Sequence, residues 1–244
     1  MSVVQFDSVS KRYGREIAAD SVSLSIPANR TTAIIGPSGS GKSTLLQMIN
    51  GMVRPDSGGV RVFDAPVDYA ELPALRRKIG YAVQGIGLFP HWNVGRNIAI
   101  LAEMSGWDEA RRRDRVRELM ALVELPEHYE ARHPHELSGG EMQRVGLCRA
   151  MMLDPPLFLL DEPFGALDPL TRGEVHREFE RIREAGRRTI VLVTHDLHEA
   201  QKLADEIVVV NEGRVEQQAE TRTILAQPAN DFVAGFFRAY EESR

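Results

Sequence analysis

The sequence predicts an α/β fold: a mostly parallel sheet, an antiparallel β subdomain at the N-terminus and an inserted α-helical subdomain. Nearly continuous runs of Val, Ile and Leu alternate with segments of helical spacing, a pattern typical of parallel strands covered on both faces. Polar and apolar residues alternate in "VVQFDSV" and "DSVSLSI". This alternation predicts two strands joined by a turn at Tyr13-Gly14.

The inserted subdomain is predicted from a long helical stretch, residues 97–152. Its helical pattern is broken near Gly106, Pro126 and Pro134, which predicts several helices rather than one. This stretch interrupts the alternation of strands and helices on either side of it.

The elements before the insertion have clear individual signals. "TTAIIG" is a short β-branched strand, and the helix after it begins near Lys42 and ends at Gly51, a C-cap. Pro55, Gly58 and Gly59 mark a turn before the strand "VRVFD". "KIGYAV" predicts a strand that ends at Gln84.

After the insertion the β pattern returns. "LFLLD", "TIVLVTH" and "DEIVVVNEG" predict three further strands. Helices are predicted from about Leu170 to Ala185 and over "DLHEAQKLA".

Composition and charge exclude several classes of protein. The 244 residues are 43% hydrophobic and 27% charged, which predicts a folded globular chain. The formal charge of −5 gives no overall reason to expect a nucleic-acid partner. We interpret the densest basic run, Arg111–Arg117, as the solvated face of an amphipathic helix rather than a phosphate-backbone patch. The apolar face of that helix would carry Val116, Leu119, Met120 and Val123.

Cysteine usage and hydropathy bear on the compartment. The single cysteine, Cys148, cannot form an intrachain disulfide, and this fits a reducing compartment. The N-terminal residues lack the apolar core of a signal peptide. No apolar run approaches the ~18 residues needed to cross a bilayer, so work at a membrane would require a partner to hold the protein there.

A glycine-rich loop with phosphate-binding chemistry follows the strand "TTAIIG". "GPSGSGKST" fits the pattern G-x-x-x-x-G-K-[ST]. Its glycines let backbone N–H groups turn toward phosphates, and the following helix directs the positive end of its dipole at them. Lys42 would reach the β- and γ-phosphates, and Ser43 would bind Mg²⁺. The candidate nucleotide-binding residues in this loop are Gly36, Pro37, Ser38, Gly39, Ser40, Gly41, Lys42, Ser43 and Thr44.

Two acidic residues follow the buried strand "LFLLD". Asp161 and Glu162 would lie at its carboxyl end, the edge at which ligands bind in open parallel sheets. Asp161 suits a Mg²⁺ position, whereas Glu162 would orient and polarise the attacking water.

"LSGGEMQR" combines a helix start with two glycines. Ser138 and Glu141 form an S-x-x-E capping box, with Gly139 and Gly140 in the first turn of the predicted helix. A purely local capping role is one interpretation. The glycines lower helix propensity, however, and bare N–H groups at a helix start bind phosphate. A second phosphate site about a hundred residues from the first would let two chains share each nucleotide.

The order of these motifs resembles one family. "GPSGSGKST", Gln84, "LSGGE", "LFLLDEP", "GALD" and "THD" are similar to the ATPase subunit of ATP-binding cassette transporters over essentially the whole chain. The resemblance implies a P-loop NTPase (RecA-like) core and a single domain over 1–244. Within it we expect a core at 1–84 and 157–220, a helical signature subdomain at 85–156 and a helical tail at 221–244.

The resemblance also implies roles for single residues. Tyr13 would stack on adenine, although a core tyrosine at a strand end is the alternative, and Gln84 would touch Mg²⁺ and relay nucleotide state to the membrane subunits. Glu162 would be the catalytic base or water-positioner, and His195 would hold the γ-phosphate and the attacking water. Asp168 would cross the dimer interface, although Gly165 replaces the serine common in that loop.

The family implies partners as well as ATP and Mg²⁺. Two copies would form a head-to-tail dimer in which Ser138, Gly139 and Gly140 bind the γ-phosphate held by the other copy. Transmembrane permease subunits would dock near Gln84–Asn97, and a substrate-binding protein would act through them. No nucleic-acid partner is expected. The protein would work peripherally at the cytoplasmic face of a bacterial inner or plasma membrane.

The transported solute is predicted from a narrower similarity. "MIN", "LRRKIGYAVQGIGLFPHWNVGRNIA" and "SGW" are similar to importers of osmoprotectants such as glycine betaine, choline and other quaternary amines. Importers of polyamines, methionine or other amino acids are the alternative. Some members of this group carry a tandem regulatory domain of the cystathionine-β-synthase type, which we expect this chain to lack.

Two other classes remain as alternatives to a transporter motor. One is a soluble ATP-binding cassette protein of ribosomes or DNA, a class that usually has two cassettes or a long coiled-coil insertion. The other is a slow nucleotide-gated binding module, against which Glu162 and His195 argue. The histidines His133, His135, His195 and His198 lack a thiol or a third ligand, so a zinc site is not predicted.

The apolar loop "QGIGLFPHWNVGRN", residues 84–97, has two interpretations. Its apolar side chains pack the junction between sheet and insertion, or they form an exposed docking surface. Anchors on a loop shaped by glycine and proline suit recognition of a partner helix in a groove. We favour docking, with Phe89 and Trp92 as the anchors.

Overall fold

The structure is a computed structural model of the chain. It describes residues 2–83, 85, 87–165, 173, 176–177, 179–181, 183 and 188–242. Packing divides the chain into two compact units. The first unit comprises Met1–Leu75 and Thr189–Arg244, and the second comprises Arg76–Arg188.

The first unit contains the predicted antiparallel β subdomain. Its strands are β1 (Ser2–Tyr13), β2 (Glu16–Pro27), β4 (Ser57–Val62) and β5 (Ala65–Pro66), in the order β2-β1-β4-β5. Tyr13 pairs with Glu16 across the predicted turn, where Gly14 has φ +60°. The alternation buries one side of β1, including Val4, Phe6 and Val9.

The first unit also contains parallel strands, which are buried throughout or nearly so. They are β3 (Thr31–Ile35), β8 (Thr189–Val193) and β9 (Glu206–Asn211), and β10 (Arg214–Glu220) is added at the edge. The order is β10-β9-β3-β8. β3 runs parallel to both β8 and β9, whereas β10 is antiparallel to β9. The sequence did not predict β10, β5 or α2 (Leu72–Arg76).

Four helices of the described residues belong wholly to the first unit. They are α1 (Lys42–Ile49), α6 (Leu197–Leu203), α7 (Thr221–Ala226) and α8 (Asp231–Glu242). α1 ends as predicted, because Gly51 follows the cap residue Asn50 with φ +68°. α8 places Val233 and Phe237 in a core cluster with residues of β3, α6, β9 and α7.

The second unit combines two parallel strands with the helical stretch. Its described elements include the strands β6 (Ile79–Ala82) and β7 (Leu157–Asp161) and the helices α3 (Val94–Met104), α4 (Glu109–Leu122) and α5 (Gly139–Met151). Short 3₁₀ helices at Glu127–Ala131 and Pro134–Glu136 link α4 to α5. The helices therefore end near the three predicted breaks. The predicted apolar side of α4 is confirmed, since Val116, Leu119, Met120 and Val123 are buried.

Two predicted segments differ from the structure or lie outside it. Gly58 and Gly59 open β4 rather than forming a turn before it, because the register against β1 shifts at a bulge between Asp7 and Ser10. Gly58 has φ +78°, and a Cβ there would lie 2.4 Å from the Ser8 carbonyl oxygen, so glycine is required. The predicted helix at 170–185 lies largely outside the described residues. The predicted boundary of the helical subdomain at 85–156 stays a prediction.

Candidate functional site

Two glycines of the loop after β3 approach other backbone so closely that no side chain fits. A Cβ on Gly36 would lie 2.0 Å from the Val210 carbonyl oxygen, and one on Gly41 would lie 2.0 Å from the Ala18 carbonyl oxygen. Gly41 also caps α1 in the left-handed region, with φ +103°. Sterics and backbone conformation therefore both require glycine here, and the loop has the shape the motif predicts.

The interior of this loop contains two buried polar groups, the Lys42 ammonium and the Ser40 hydroxyl. Lys42 is 6% exposed, and its ammonium donates to the Gly36 and Pro37 carbonyl oxygens at 2.9 and 2.8 Å. The Ser40 hydroxyl is buried without a hydrogen-bond partner among the described residues. An orphaned buried hydroxyl is costly and often marks a site for a ligand. Pro37, Ser38 and Gly39, by contrast, are exposed.

The start of α1 adds backbone donors to the loop. The first bond within the helix runs from the Leu45 N–H to the Gly41 carbonyl, at 3.0 Å. The N–H groups of the turn before it, at Lys42, Ser43 and Thr44, have no acceptor within the helix. With the dipole of α1 they form a site for an anion, which fits the predicted phosphate site.

His195 lies on a short connection between β8 and α6. The His195 side chain is exposed. Hydrogen bonds hold its two neighbours in sequence, Thr194 and Asp196. The Thr194 hydroxyl donates to Glu199 Oε2 at 2.5 Å and accepts from the Asp196 N–H at 3.0 Å. Asp196 Oδ1 caps α6 by accepting from the N–H groups of His198 and Glu199. These bonds hold the residues on either side of His195 relative to the start of α6.

Tyr13 is available for stacking. It ends β1, is 48% exposed and has the Lys11 ammonium 5.5 Å from its ring centroid. The alternative interpretation, a core tyrosine at the end of a strand, does not fit this exposure.

In the second unit, Asp161 and Glu162 lie at the carboxyl end of β7 as predicted. Asp161 is 3% exposed, whereas Glu162 is partly exposed. Glu162 has φ +46°, in the left-handed region that a residue with a Cβ rarely adopts. Such conformations cost about 1–3 kcal/mol and cluster at functional sites. Other non-glycine residues, such as Asn29 and Asp154, share a positive φ, so the assignment of Glu162 rests on its motif and its place at the end of β7.

The start of α5 has the predicted capping box. The Ser138 N–H donates to Glu141 Oε2 at 2.7 Å, and the Glu141 N–H donates to the Ser138 hydroxyl at 3.3 Å. Burial raises the pKa of Glu141, but hydrogen bonds from Ser138 and Tyr129 outweigh it, so the pKa is lowered on balance. Glu141 is therefore a charged cap, and Gly139 and Gly140 occupy the first turn.

Phe89 and Trp92 form an aromatic cluster on the loop before α3. Their ring centroids are 4.3 Å apart, and the Arg96 guanidinium lies 4.4 Å from the Trp92 ring centroid. Phe89 is 40% exposed. The exposed part of the cluster fits the docking interpretation.

A family model for ABC transporters matches residues 19–165, well over half of the chain. The chain belongs to the ABC transporter family. Its glycine-rich loop, its capped "LSGGE" helix and the acidic end of β7 are the features by which the sequence resembled that family.

Two relatives within the ABC transporter family are similar along nearly the whole chain. The glycine betaine uptake system ATP-binding protein YehX of Escherichia coli is 48% identical over 96% of this chain and 76% of that protein. The glycine betaine/carnitine/choline transport ATP-binding protein OpuCA of Bacillus subtilis is 44% identical over 96% of this chain. The chain spans only 62% of that relative's length.

A solved ABC cassette confirms the predicted fold class. It is a dimeric ATP-binding cassette in a post-hydrolysis state, bound to ADP and Pi. The match covers 90% of this chain and 99% of the cassette's chain, with a TM-score of 0.81 and 33% sequence identity.

Several site residues of this ABC transporter chain fall outside the structure or were missed from its sequence. Gln84 and Asp168 lie outside the described residues. Asn97 was missed: it is 0% exposed and bonds to the backbone of Phe89 and Trp92. Its signal was a polar residue on the apolar side of a helix, between Val94 and Ile98.

The described residues contain no cluster of three or more metal-binding side chains and no helix that is long and apolar enough to span a membrane. His133 and His135 stack with ring centroids 5.8 Å apart, and His198 packs on Tyr240.

Proposed function

We propose that this chain is the ATP-hydrolysing subunit of a multi-subunit importer for osmoprotectants such as glycine betaine, choline or related quaternary amines. The observation that carries the proposal is the phosphate cradle at the start of α1. In it, two glycines cannot accept a Cβ, and the buried Ser40 hydroxyl has no hydrogen-bond partner among the described residues. A polyphosphate would accept hydrogen bonds from that hydroxyl, from the Lys42 ammonium and from the first N–H groups of the helix.

The nucleotide would be held by residues at its two ends. Tyr13 stacks on adenine, the loop from Gly36 to Thr44 surrounds the phosphates, and Lys42 reaches the β- and γ-phosphates. Ser43, Gln84 and Asp161 are the proposed ligands of Mg²⁺, since hydroxyl, amide and carboxylate oxygens are the ligands that this hard cation prefers. Mg²⁺ would neutralise charge that develops on the phosphates.

Hydrolysis requires a positioned water and a held γ-phosphate. We propose that Glu162 positions the water, and its left-handed backbone is compatible with a functionally constrained residue. We propose that His195 holds the γ-phosphate. In a head-to-tail dimer, Ser138, Gly139 and Gly140 of one copy would bind the γ-phosphate held by the other. Asp168 would contribute to that interface. The dimeric state of the related cassette bound to ADP and Pi supports the dimer in this proposal.

The assignment of solute follows from the relatives. Both are named for transport of glycine betaine, and one also for carnitine and choline. The ATPase would not touch the solute. It would sit at the cytoplasmic face of the membrane, held by permease subunits that contact Phe89 and Trp92, and would serve a separate substrate-binding protein.

The catalytic assignment is tested with Glu162→Gln, which keeps the size of the side chain and removes its charge. We expect a stable ATP-bound dimer in gel filtration and turnover reduced by about 10³-fold, because a water-orienting group is lost while binding is retained. Wild-type turnover in this variant would disprove the role of Glu162.

The solute is tested in the reconstituted complex with its permease and binding protein. We expect quaternary amines to stimulate ATP hydrolysis. Stimulation by a polyamine, methionine or another amino acid, with no response to quaternary amines, would overturn the assignment of solute and leave the assignment of the ATPase intact.

A further inference from the structure

The His195 loop, Thr194–Asp196, is tied to the rest of the first unit at both ends. The Thr194 N–H donates to the Ile34 carbonyl of β3 at 3.3 Å. The Thr194 hydroxyl donates to Glu199 on α6, and both residues are almost completely buried, at 1% and 3% exposed. One end of the loop is therefore fixed by the core.

The other end of the loop depends on the Asp196 carboxylate. Its Oδ1 accepts from the N–H groups of His198 and Glu199 at 2.8 and 3.3 Å. Both donors belong to α6, so these two bonds fix Asp196 only relative to its own helix. They do not limit movement of the α6 start together with the loop.

A third donor to the same oxygen comes from a distant element. The Tyr240 hydroxyl on α8 donates to Asp196 Oδ1 at 2.5 Å, across 44 residues of sequence. The Tyr240 ring also packs edge-on against His198, with centroids 5.3 Å apart. This bond ties the start of α6 to a second helix.

Core packing fixes the position of α8, which carries Tyr240. Val233 and Phe237 are buried in the cluster that includes Leu197 of α6 and Ile224 of α7, and Phe236 and Tyr240 pack against that cluster. The position of the Tyr240 hydroxyl is thus set by core packing, which keeps side chains in defined rotamers.

We propose that Tyr240 is a positioning residue for His195, and that the C-terminal helix α8 holds the His195 loop through the Tyr240–Asp196 hydrogen bond. The inference rests on the proposed role of His195 in ATP turnover. It adds Tyr240, which lies outside the nucleotide-binding motifs, to the residues that affect turnover. It also makes the orientation of His195 depend on how α8 packs against the core.

Tyr240→Phe tests the proposal in the full chain, because it removes the hydroxyl and keeps the ring. We expect kcat for ATP to fall about tenfold, since small misplacements of a catalytic group reduce rates steeply. KM for ATP should change by less than about twofold, because the phosphate loop is untouched. Tyr69→Phe is the matched control. Its hydroxyl is buried without a hydrogen-bond partner in the described part of the chain, and its loss should leave kcat unchanged.

Two further measurements distinguish positioning from general destabilisation. In a His195→Ala background, Tyr240→Phe should cause no additional loss of single-turnover rate, since its effect passes through His195. Amide hydrogen exchange over residues 193–203 should be faster in Tyr240→Phe than in wild type, and this readout does not depend on turnover.

Each unfavourable result has a separate meaning. Wild-type kcat and wild-type exchange in Tyr240→Phe would overturn the positioning role, as would a further tenfold loss in the His195→Ala background. An equal loss in Tyr69→Phe would show that the effect is not specific to the Asp196 bond. Absence of ATP turnover in wild type would overturn the proposed function itself.

Discussion

At the scale of single residues, the candidate chemistry lies where elements begin or end: Lys42 begins α1, Ser138 caps α5 and Asp161 ends β7. The left-handed conformation of Glu162 could not be predicted, because nothing in the letters "LLDEP" specifies a positive φ for a glutamate. Such a conformation is imposed by the surrounding structure.

Gly41 gives a sharp test of the phosphate cradle. In Gly41→Ala the new Cβ would lie 2.0 Å from the Ala18 carbonyl oxygen, and the residue would keep φ +103°. Loop and strand must therefore separate, and we expect ATP affinity to fall at least 100-fold (about 2.7 kcal/mol). Equilibrium binding of a fluorescent ATP analogue measures this.

The matched control is Gly39→Ala in the same loop. Gly39 also has a positive φ, +77°, but a Cβ there has no neighbour within 4 Å. Only backbone strain of about 1 kcal/mol is expected. Equal losses of affinity in the two variants would show that the close approach to Ala18 is unimportant.

At the scale of elements, helices and strands with strong local periodicity were predicted well, and elements defined by pairing were not. β10 was missed because its residues "RVEQQAE" are polar and only partly buried. It exists because Glu212 and Gly213, both with positive φ, form a tight turn that pairs it with β9. The Tyr240–Asp196 bond was missed for a related reason, since contacts over 44 residues leave no local pattern.

Asn97 should control the order of the loop before α3. In Asn97→Leu the Phe89 N–H and the carbonyls of Phe89 and Trp92 lose their partner. Leaving such groups unsatisfied costs about 1–3 kcal/mol. We expect lower stability in urea and a red shift of tryptophan emission as Trp92 becomes more exposed. An unchanged emission spectrum would contradict this role of Asn97.

Tyr240 should make stability depend on alkaline pH. Burial, the hydrogen bond to Asp196 and the charges of Asp196 and Glu199 raise the pKa of its hydroxyl from 10.0 to about 12, and a backbone hydrogen bond with Leu197 opposes them. The His198 ring packs against the same side chain. A raised pKa stabilises the folded state fully below pH 10, and this contribution is lost as pH rises through about 12.

The measurement is urea unfolding at pH 9 and pH 11.5. The stability advantage of wild type over Tyr240→Phe should shrink at the higher pH, because the difference between the two proteins isolates the tyrosine. A constant difference would mean that the Asp196 bond contributes nothing to folding.

At the scale of the whole molecule, family membership rests on agreement between motif order and similarity along the chain. The 48% identity with a glycine betaine uptake protein covers 96% of this chain. The solute prediction came from the stretches "MIN", "LRRKIGYAVQGIGLFPHWNVGRNIA" and "SGW", and it agrees with the names of the relatives. Gln84 and Asp168 remain predictions, since their placement depends on segments outside the described residues.

Trp92→Ala tests the docking of the permease. We expect ATP binding by the isolated subunit to be unchanged and solute-stimulated ATPase of the assembled complex to fall by at least tenfold, because an aromatic anchor contributes about 2 kcal/mol or more at an interface. Met104→Ala is the control, since Met104 is 72% exposed and lies at the far end of α3. If Trp92→Ala fails to fold while Met104→Ala folds, Trp92 is a core residue and not a docking anchor.

The hydrogen bonds of Lys42 bear on how a phosphate enters the loop. Its ammonium already has two oxygen partners, the carbonyls of Gly36 and Pro37. Arrival of a nucleotide is therefore an exchange of ligands around a cation rather than the neutralisation of a bare charge. When the product leaves, the same two carbonyl oxygens can accept from the ammonium again. This favours release of ADP in every cycle, because the charge of Lys42 keeps oxygen partners after the product has left the loop.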